Sequence, residues 1–283
     1  MEYIINMEII NEFKEYLKIN EKSKATIDKY LRDVIAFYKT IINQKLTKET
    51  VLAYKKVICE NYAAISVNSM LAAVNKFLDF IGASELKVKR LKIQRNMFIN
   101  EQKELTKQEY YRLIKAAQLQ SNKRLNLILQ TICSTGIRIS ELKYITKEAI
   151  NNGRAEINCK GKLRVIFLPK ELCKKLKQYS VSKNIKTGSV FITKNGNELD
   201  RSNIWRDMKK LCEYAKVAPE KVFPHNLRHL FARMFYAIEQ DIVKLADILG
   251  HSSINTTRIY TASSGREHQE KNRKAIICFI IIN

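Results

Sequence analysis

The chain has 283 residues, a length that fits two domains, and 46% of them are hydrophobic, enough to bury a sizeable core. Its 8 glycines and 3 prolines are too few for a collagen-like or low-complexity chain, or for a turn-rich all-β fold, so we expect mostly helix. The 51 basic and 28 acidic side chains give a formal net charge of +23, which predicts a polyanionic partner.

The positive charge is unevenly distributed along the chain. Residues 1–84 contain 12 basic and 10 acidic side chains (+2), whereas residues 85–283 contain the remaining 39 and 18 (+21). Nucleic acid is the commonest polyanion and a membrane surface the second. A membrane-surface protein would need a basic amphipathic helix, but here the basic residues are spread through the chain. The charge therefore favours nucleic acid, bound most strongly by the C-terminal two-thirds.

Residues 7–82 show the apolar spacing of four amphipathic helices. Spacings of three and four residues are clearest from Ile27 to Ile41 and from Val67 to Ile81, after which Gly82 stops the pattern. Four helices with one apolar stripe each make a small bundle. We predict an N-terminal helical domain over residues 1–84.

Residues 85–104 lack sustained periodicity and are predicted to be a basic linker. An ordinary solvated segment is the alternative interpretation. A basic linker between two DNA-contacting domains would lie along phosphates. Its basic side chains are Lys87, Lys89, Arg90, Lys92 and Arg95.

A second domain opens with a capping box at Thr106 and Glu109 and is predicted to extend over residues 105–275. A further helix runs through Leu125–Thr131 and ends near Gly136, and residues 155–168 read as two short strands. More helices are predicted over residues 170–182, 202–216, 225–237 and 240–249. The fold class is therefore mainly α with a small β-sheet in the second domain.

The ends of the chain and its cysteines predict a compartment. The six cysteines have no CxxC or metal-ligand spacing, and the first residues lack the pattern of a secretory signal. The apolar tail, residues 276–283, is far shorter than the ~20 residues needed to span a bilayer. We therefore expect a cytoplasmic protein with reduced cysteines and no membrane partner.

Several polar residues occupy unusual positions and form a chemical set. Two guanidinium groups can clamp one phosphate bidentately, and two imidazoles can add hydrogen-bond donors. A tyrosine hydroxyl can attack phosphorus, and a lysine can protonate the departing oxygen. Such a set cleaves a phosphodiester without a metal or another cofactor, and the sequence contains no competing metal motif or P-loop. Its members are Arg138, Lys160, His225, Arg228, His251 and Tyr260.

The segments TGIRISEL, HNLRH, LGHSS and NTTRIYT resemble the signature segments of the tyrosine recombinases, also called the phage integrase family. They occur in the family's order and at its usual separations: three residues from His225 to Arg228 and nine from His251 to Tyr260. The resemblance covers about residues 7–275. It is specific in the second domain, whereas the N-terminal bundle matches mainly in general character.

The resemblance implies roles for these residues. Arg138 and Arg228 would bind the scissile phosphate with the help of His225 and His251, and Tyr260 would form a 3′-phosphotyrosyl bond.

The resemblance also implies a general acid and a supporting carboxylate. Lys160, on the hairpin, would protonate the leaving 5′-oxygen, and Glu141 would help to order the site. The hairpin reads Cys-Lys-Gly-Lys where the family often has Gly-Lys-Gly, so Lys162 remains an alternative to Lys160. Lys160 is favoured because it directly precedes the turn glycine.

The implied assembly is a two-domain clamp on double-stranded DNA that carries a specific recombination site. Four protomers would act on two duplexes, half of them at a time, and would associate weakly at most without DNA. Residues 276–283 would dock on a neighbouring protomer, cover the protein's own core or extend freely.

The predicted function is site-specific DNA recombination, with integration, excision, inversion and resolution left open, and a mobile element among the possible settings. One alternative is a type IB topoisomerase-like enzyme, which would not usually have the spacing from LGHSS to tyrosine. The other is a catalytically silent DNA-binding regulator on the same fold, which would not need Tyr260.

Overall fold

The computed structural model of the chain describes residues 3, 5–42, 44–93, 101–159, 162–193 and 195–260. The chain divides into two compact units, Met1–Arg95 and Asn96–Asn283. The division falls inside the stretch predicted to be a linker. Both predicted classes of structure are confirmed, because the described residues are mostly helical and the second unit contains a small sheet.

The N-terminal unit contains the four predicted helices. They are α1 (Met7–Ile19), α2 (Lys24–Ile41), α3 (Lys48–Asn61) and α4 (Ala64–Phe80). Their apolar stripes bury large side chains completely, among them Phe13, Phe37 and Phe77. Local signals fix the starts: the Ser23 side chain caps α2, and Thr47 and Thr50 form a capping box at α3.

The first half of the predicted linker packs on the N-terminal unit. Two asparagines of α4, seven residues apart and hence on one face, bind its backbone. Val88 N–H donates to Asn75 Oδ1 (3.1 Å), and Asn75 Nδ2 donates to Val88 O (2.9 Å). Asn68 makes the same pair of bonds with Leu91. The segment buries Val88, and side chains of the helices bind its backbone, so it packs on the unit without the apolar period of a helix.

The C-terminal unit is built around α6. This helix packs against α5, α8, α9 and α10, so that its apolar side chains lie at the centre of the core. The Thr106–Glu109 capping box forms as predicted at the start of α5. The helices are α5 (Lys107–Leu119), α6 (Lys123–Thr135), α7 (Lys147–Asn152), α8 (Lys170–Ser182), α9 (Arg201–Ala215), α10 (Pro224–Glu239), α11 (Ile242–Leu249) and α12 (Ile254–Thr257).

The predicted strands are β1 (Arg154–Cys159) and β2 (Lys162–Phe167). They pair antiparallel from Arg154↔Phe167 to Cys159↔Lys162. The short elements were not predicted: they include α7, α12 and a 3-10 helix over Ile139–Tyr144 that directly follows Arg138. Within the described ranges, no helix is long and apolar enough to cross a membrane.

Candidate active site

Arg228 lies at the centre of the site and is only 1% exposed. It lies in the second turn of α10, and its guanidinium donates to the carbonyls at the ends of two other helices. Nη1 donates to Gly136 O at the end of α6 (2.5 Å), and Nη2 donates to Leu249 O, the last residue of α11 (2.6 Å). Helix C-terminal carbonyls carry partial negative charge, which offsets part of the cost of burying the cation.

Burial and neighbouring cations disfavour the charged form of Arg228 in the free protein. Burial and the nearby Arg138 and Arg164 cations lower the pKa of Arg228 to about 10. Its Nε–H is buried and has no hydrogen-bond partner among the described residues. Buried donors are normally paired, so an unpaired N–H within a cluster of cations is suited to an anion.

Glu141 forms ion pairs with both Arg138 and Arg164, the two cations next to Arg228. Its buried carboxylate accepts from the Arg138 backbone N–H (2.8 Å) and from Arg138 Nη1 (2.9 Å). Arg164, on β2, donates to the same carboxylate (2.6 Å) and to Ile248 O of α11 (2.7 Å). Arg138 remains partly exposed, so its guanidinium is fixed on one side and accessible on the other.

Two glycines leave room for side chains that pack against the backbone of the site, Phe231 at Gly136 and Arg164 at Gly250. Gly136 and Gly250 both have positive φ, +65° and +62°, and end α6 and α11. A Cβ on Gly136 would lie 2.5 Å from the Phe231 ring, and one on Gly250 would lie 2.7 Å from Arg164 Cδ. Gly250 O also accepts from Arg138 Nη2 at 3.3 Å. The glycines of TGIR and LGH are therefore required by both backbone conformation and space.

His251 connects Arg228 to α12. Its Nε2 lies 3.1 Å from Arg228 Nη2, and its Nδ1 lies 2.9 Å from the Thr257 hydroxyl oxygen. Burial and the surrounding arginines, Arg228 first among them, lower the pKa of His251 to about 4. The imidazole is therefore neutral at physiological pH.

His225 and His229 lie one helical turn apart on α10, with ring centroids 4.5 Å apart. Partial desolvation, His229 and Arg228 lower the pKa of His225. His229 Nδ1 lies 3.3 Å from Glu104 Oε1. Burial raises the pKa of Glu104, but His229 and Arg233 outweigh that effect and keep it below its usual value.

Tyr260 closes the site from the 3-10 turn Arg258–Tyr260 and is only 4% exposed. Its ring stacks on His251, with centroids 6.1 Å apart, and meets the edge of His229 at 5.0 Å. Burial raises the pKa of Tyr260, and the positive charges of Arg228 and Arg138 oppose that rise. In the free protein the hydroxyl is therefore protonated and shielded from solvent.

The structure brings together five of the six residues singled out from the sequence: Arg138, His225, Arg228, His251 and Tyr260. Lys160 lies outside the described residues, as do Arg95 of the linker and the tail at residues 276–283. The other basic linker side chains, Lys87, Lys89, Arg90 and Lys92, are exposed. Sequence reasoning missed Glu104, Arg164, His229 and Thr257. His229 lies in the signature segment HNLRH and Thr257 in NTTRIYT, but the spacing of residues in these segments did not indicate a role for either.

A cavity of about 1090 Å³ opens beside the Glu141 network. Arg138, Glu141, Arg164 and His251 contribute its polar wall, and the exposed face of β2 contributes apolar side chains. Within the described part of the chain, no cluster of three or more His, Cys, Asp or Glu side chains is arranged to hold a metal ion.

Comparison with known families is consistent with this geometry. The sequence profile of the phage integrase family matches residues 103–267, which include every residue of the candidate site. The chain belongs to the phage integrase family. The profile described as "Phage integrase, N-terminal SAM-like domain" matches residues 10–84, the helices of the N-terminal unit.

Individual members of the phage integrase family match nearly the whole chain. Tyrosine recombinase XerA of Pyrococcus horikoshii is 29% identical over 283 residues, which cover 97% of this chain and 95% of XerA. A crystal structure of XerH site-specific recombinase bound to its difH substrate has a TM-score of 0.71 at 19% identity, covering 95% of this chain and 84% of XerH. A lambda integrase tetramer bound to a Holliday junction has a TM-score of 0.71 at 15% identity, covering 90% of this chain and 76% of that one. At these identities the two structures show a shared fold.

Proposed function

We propose that this chain is a site-specific DNA recombinase that cleaves and rejoins DNA strands through a 3′-phosphotyrosyl intermediate at Tyr260. One observation carries the proposal: a buried Arg228 with an unpaired N–H lies beside Arg138, two neutral imidazoles and the ring of Tyr260. These groups can bind a phosphodiester and attack it.

The proposed reaction conserves the number of phosphoester bonds. The Tyr260 hydroxyl gives its proton to a neutral imidazole of the site, and its oxygen attacks the phosphorus. A tyrosyl–phosphorus bond forms as the bond from phosphorus to the 5′-oxygen breaks. Lys160 gives the leaving oxygen a proton, so a free 5′-hydroxyl is released. The 5′-hydroxyl of a second strand then attacks the phosphotyrosine and displaces Tyr260. The two proton transfers run in reverse in this second step, so that Tyr260 and Lys160 return to their starting protonation states.

The cations have two tasks in this scheme. Arg138 is partly exposed and meets the phosphate first, whereas Arg228 binds it from the buried side. Negative charge that develops on the non-bridging oxygens is stabilised by guanidinium groups that are already oriented by Glu141 and by the two helix ends. Burial, followed by repulsion from Arg138 and Arg164, lowers the pKa of Arg228, and a bound anion would offset the repulsion.

Tyr260 must become exposed before it can attack. With 4% of the Tyr260 surface and 1% of the Arg228 surface exposed, we expect a phosphate on DNA to reach both groups only after the site opens. The turn that carries Tyr260 is short and follows the four-residue helix α12, so few backbone contacts have to change. DNA binding is the event that we expect to release this turn.

The partner is double-stranded DNA that carries a specific recombination site. The +21 charge of residues 85–283 and the exposed basic side chains of residues 87–92 support this assignment. Four protomers on two duplexes form the active assembly, as in the related lambda integrase tetramer on a Holliday junction. The cytoplasm is the compartment in which we place the reaction.

Covalent trapping tests the proposal. A binding site is selected from a pool of randomised duplexes and nicked near its centre, so that the short fragment with the freed 5′-hydroxyl diffuses away after cleavage. Wild-type protein is expected to form an adduct that survives denaturing electrophoresis. Tyr260→Phe keeps the ring and removes the attacking oxygen, and it is expected to bind the duplex but form no adduct. An adduct of normal yield with Tyr260→Phe would refute the assignment, and binding without any wild-type adduct would favour a silent regulator.

The general acid is tested on a modified bond. Lys160→Ala is expected to cleave ordinary DNA slowly and to be rescued by a 5′-bridging phosphorothioate, whose leaving group needs no proton. Rescue of Lys162→Ala, with none for Lys160→Ala, would assign the role to Lys162.

A further inference from the structure

The proton of His251 can be placed from its two neighbours. A guanidinium carries only N–H donors, so Arg228 Nη2 must donate to His251 Nε2 across their 3.1 Å contact. In the neutral ring, Nε2 is then unprotonated and the proton lies on Nδ1. Nδ1–H points to the Thr257 hydroxyl oxygen at 2.9 Å, which accepts it.

We propose that Thr257 is a positioning residue of the strand-transfer site: its hydroxyl holds the proton of His251 on Nδ1 and thereby keeps Nε2 as the acceptor that orients Arg228. The inference rests on the proposed function and adds a residue to it. Thr257 is fully buried, so no water can replace the hydroxyl without opening the site. An imidazole tautomer is set by the hydrogen bond that the other ring nitrogen makes.

Removing the Thr257 hydroxyl would favour the other tautomer of His251. The Nδ1–H would be buried without its acceptor, which is costly, and the ring would favour a proton on Nε2. An Nε2–H would then face the Arg228 N–H at 3.1 Å, two donors with no acceptor between them. Either the ring or the guanidinium must turn away, and the ring also stacks on Tyr260.

The position of Thr257 in the chain extends this effect to the nucleophile. It is the last residue of α12, and the turn that carries Tyr260 follows directly. The hydrogen bond from His251 therefore ties the start of that turn to Arg228 of α10. If the turn moves when DNA binds, this hydrogen bond couples its movement to the positions of His251 and Arg228.

Three variants separate the hydroxyl from the packing of Thr257. Thr257→Val keeps the side-chain volume and removes the hydroxyl, and Thr257→Ser keeps the hydroxyl and removes a methyl group. Thr256→Val is the matched control, because Thr256 is exposed and lies next to Thr257 on α12. The full-length chain contains 4 histidines, so ¹⁵N labelling of histidine gives a small set of imidazole signals. The spectrum of His251→Gln assigns the His251 pair.

In wild-type protein at neutral pH, we expect His251 to show a protonated Nδ1 and an unprotonated Nε2, and Thr257→Val to lose that pattern. We also expect Thr257→Val to slow adduct formation on the nicked duplex by about 10–100-fold, the usual effect of removing the outer partner of a functional histidine at metal sites. Thr257→Ser should restore both the spectrum and most of the rate, and Thr256→Val should change neither.

Other results would overturn the proposal. A wild-type His251 protonated on Nε2 would contradict the proposed tautomer. Thr257→Val at full rate would show that the bond does not serve the reaction, and a Thr257→Ser variant as slow as Thr257→Val would indicate a packing role. If wild type and all variants bind DNA but form no adduct, the proposed function fails, and the spectrum still decides whether Thr257 sets the tautomer.

Discussion

Gly250 and Gly153 end α11 and α7 in the same left-handed backbone conformation, with φ of +62° and +68°. Only at Gly250 would a Cβ collide, because it would lie 2.7 Å from Arg164 Cδ, whereas nothing lies within 4 Å at Gly153. Alanine at either position carries the backbone cost of about 1–2 kcal/mol. We expect Gly250→Ala also to displace Arg164 from Glu141 and to slow adduct formation by more than 10-fold.

Gly153→Ala controls for the backbone cost alone. Urea unfolding should show only the backbone cost for Gly153→Ala and a larger loss of stability for Gly250→Ala, which also breaks the buried Arg164–Glu141 ion pair, and only Gly250→Ala should lose activity. Equal activities for both variants at equal stability would contradict the role given to Arg164.

The pKa of His251 predicts how stability depends on pH. The unfolded chain takes up a proton near the ordinary pKa of 6.5, whereas the folded protein does so only near about 4. Between these values the unfolded state binds more protons, so the free energy of unfolding falls as pH falls from 6.5 towards 4. His251→Gln should lose part of this slope in urea unfolding at pH 7 and pH 5. An unchanged slope would show that His251 titrates normally in the folded protein.

Long, periodic elements could be predicted from the sequence, and short ones could not. The four helices of the N-terminal unit and the helix over residues 170–182 follow apolar stripes longer than three turns. α12 has four residues, too few to show a period. The same limit hid the 3-10 helix after Arg138, which is held by the Glu141 side chain rather than by an apolar face.

Some residues of the site could be predicted from local sequence spacing, whereas others come together only when the chain folds. Five residues of the family's signature segments could be predicted because each segment is local and recognisable. Arg164 acquires its role only when the hairpin places it beside Glu141 and α11, 23 and 84 residues away in sequence. Glu104 reaches His229 across 125 residues, which no local pattern indicates.

The segment that follows α4 offers a test at the scale of one element. Asn75→Ala removes both hydrogen bonds to Val88, with an expected cost of about 1–3 kcal/mol at roughly 0.5–1.5 kcal/mol for each bond. The Val88 amide should then exchange with deuterium at least 10-fold faster. Asn61→Ala, which removes an exposed bond within α3, is the control and should leave Val88 protected. Unchanged exchange in Asn75→Ala would show that other contacts hold the segment.

At the scale of the whole molecule, the +23 charge predicts binding dominated by phosphate contacts. Each neutralised phosphate contributes about −0.9 to the log–log slope of affinity against salt, so roughly 6–10 contacts would cost about 10³–10⁵ in affinity between 50 and 200 mM salt. Replacing both Lys89 and Arg90 by alanine should reduce the slope by about 2. Lys18→Ala is the control, because Glu15 already pairs with Lys18 at 2.8 Å. A salt-insensitive complex would contradict this account.

The central claim is that Tyr260 becomes covalently linked to a DNA 3′-phosphate. The most direct measurement is mass spectrometry of the trapped adduct after digestion with nuclease and trypsin. Cleavage after Arg258 and Arg266 releases residues 259–266, in which Tyr260 is the one tyrosine. We predict that this peptide carries a 3′-phosphonucleotide and that fragment ions place it on Tyr260. A modification on any other residue, or an unmodified peptide from a confirmed adduct, would contradict the account.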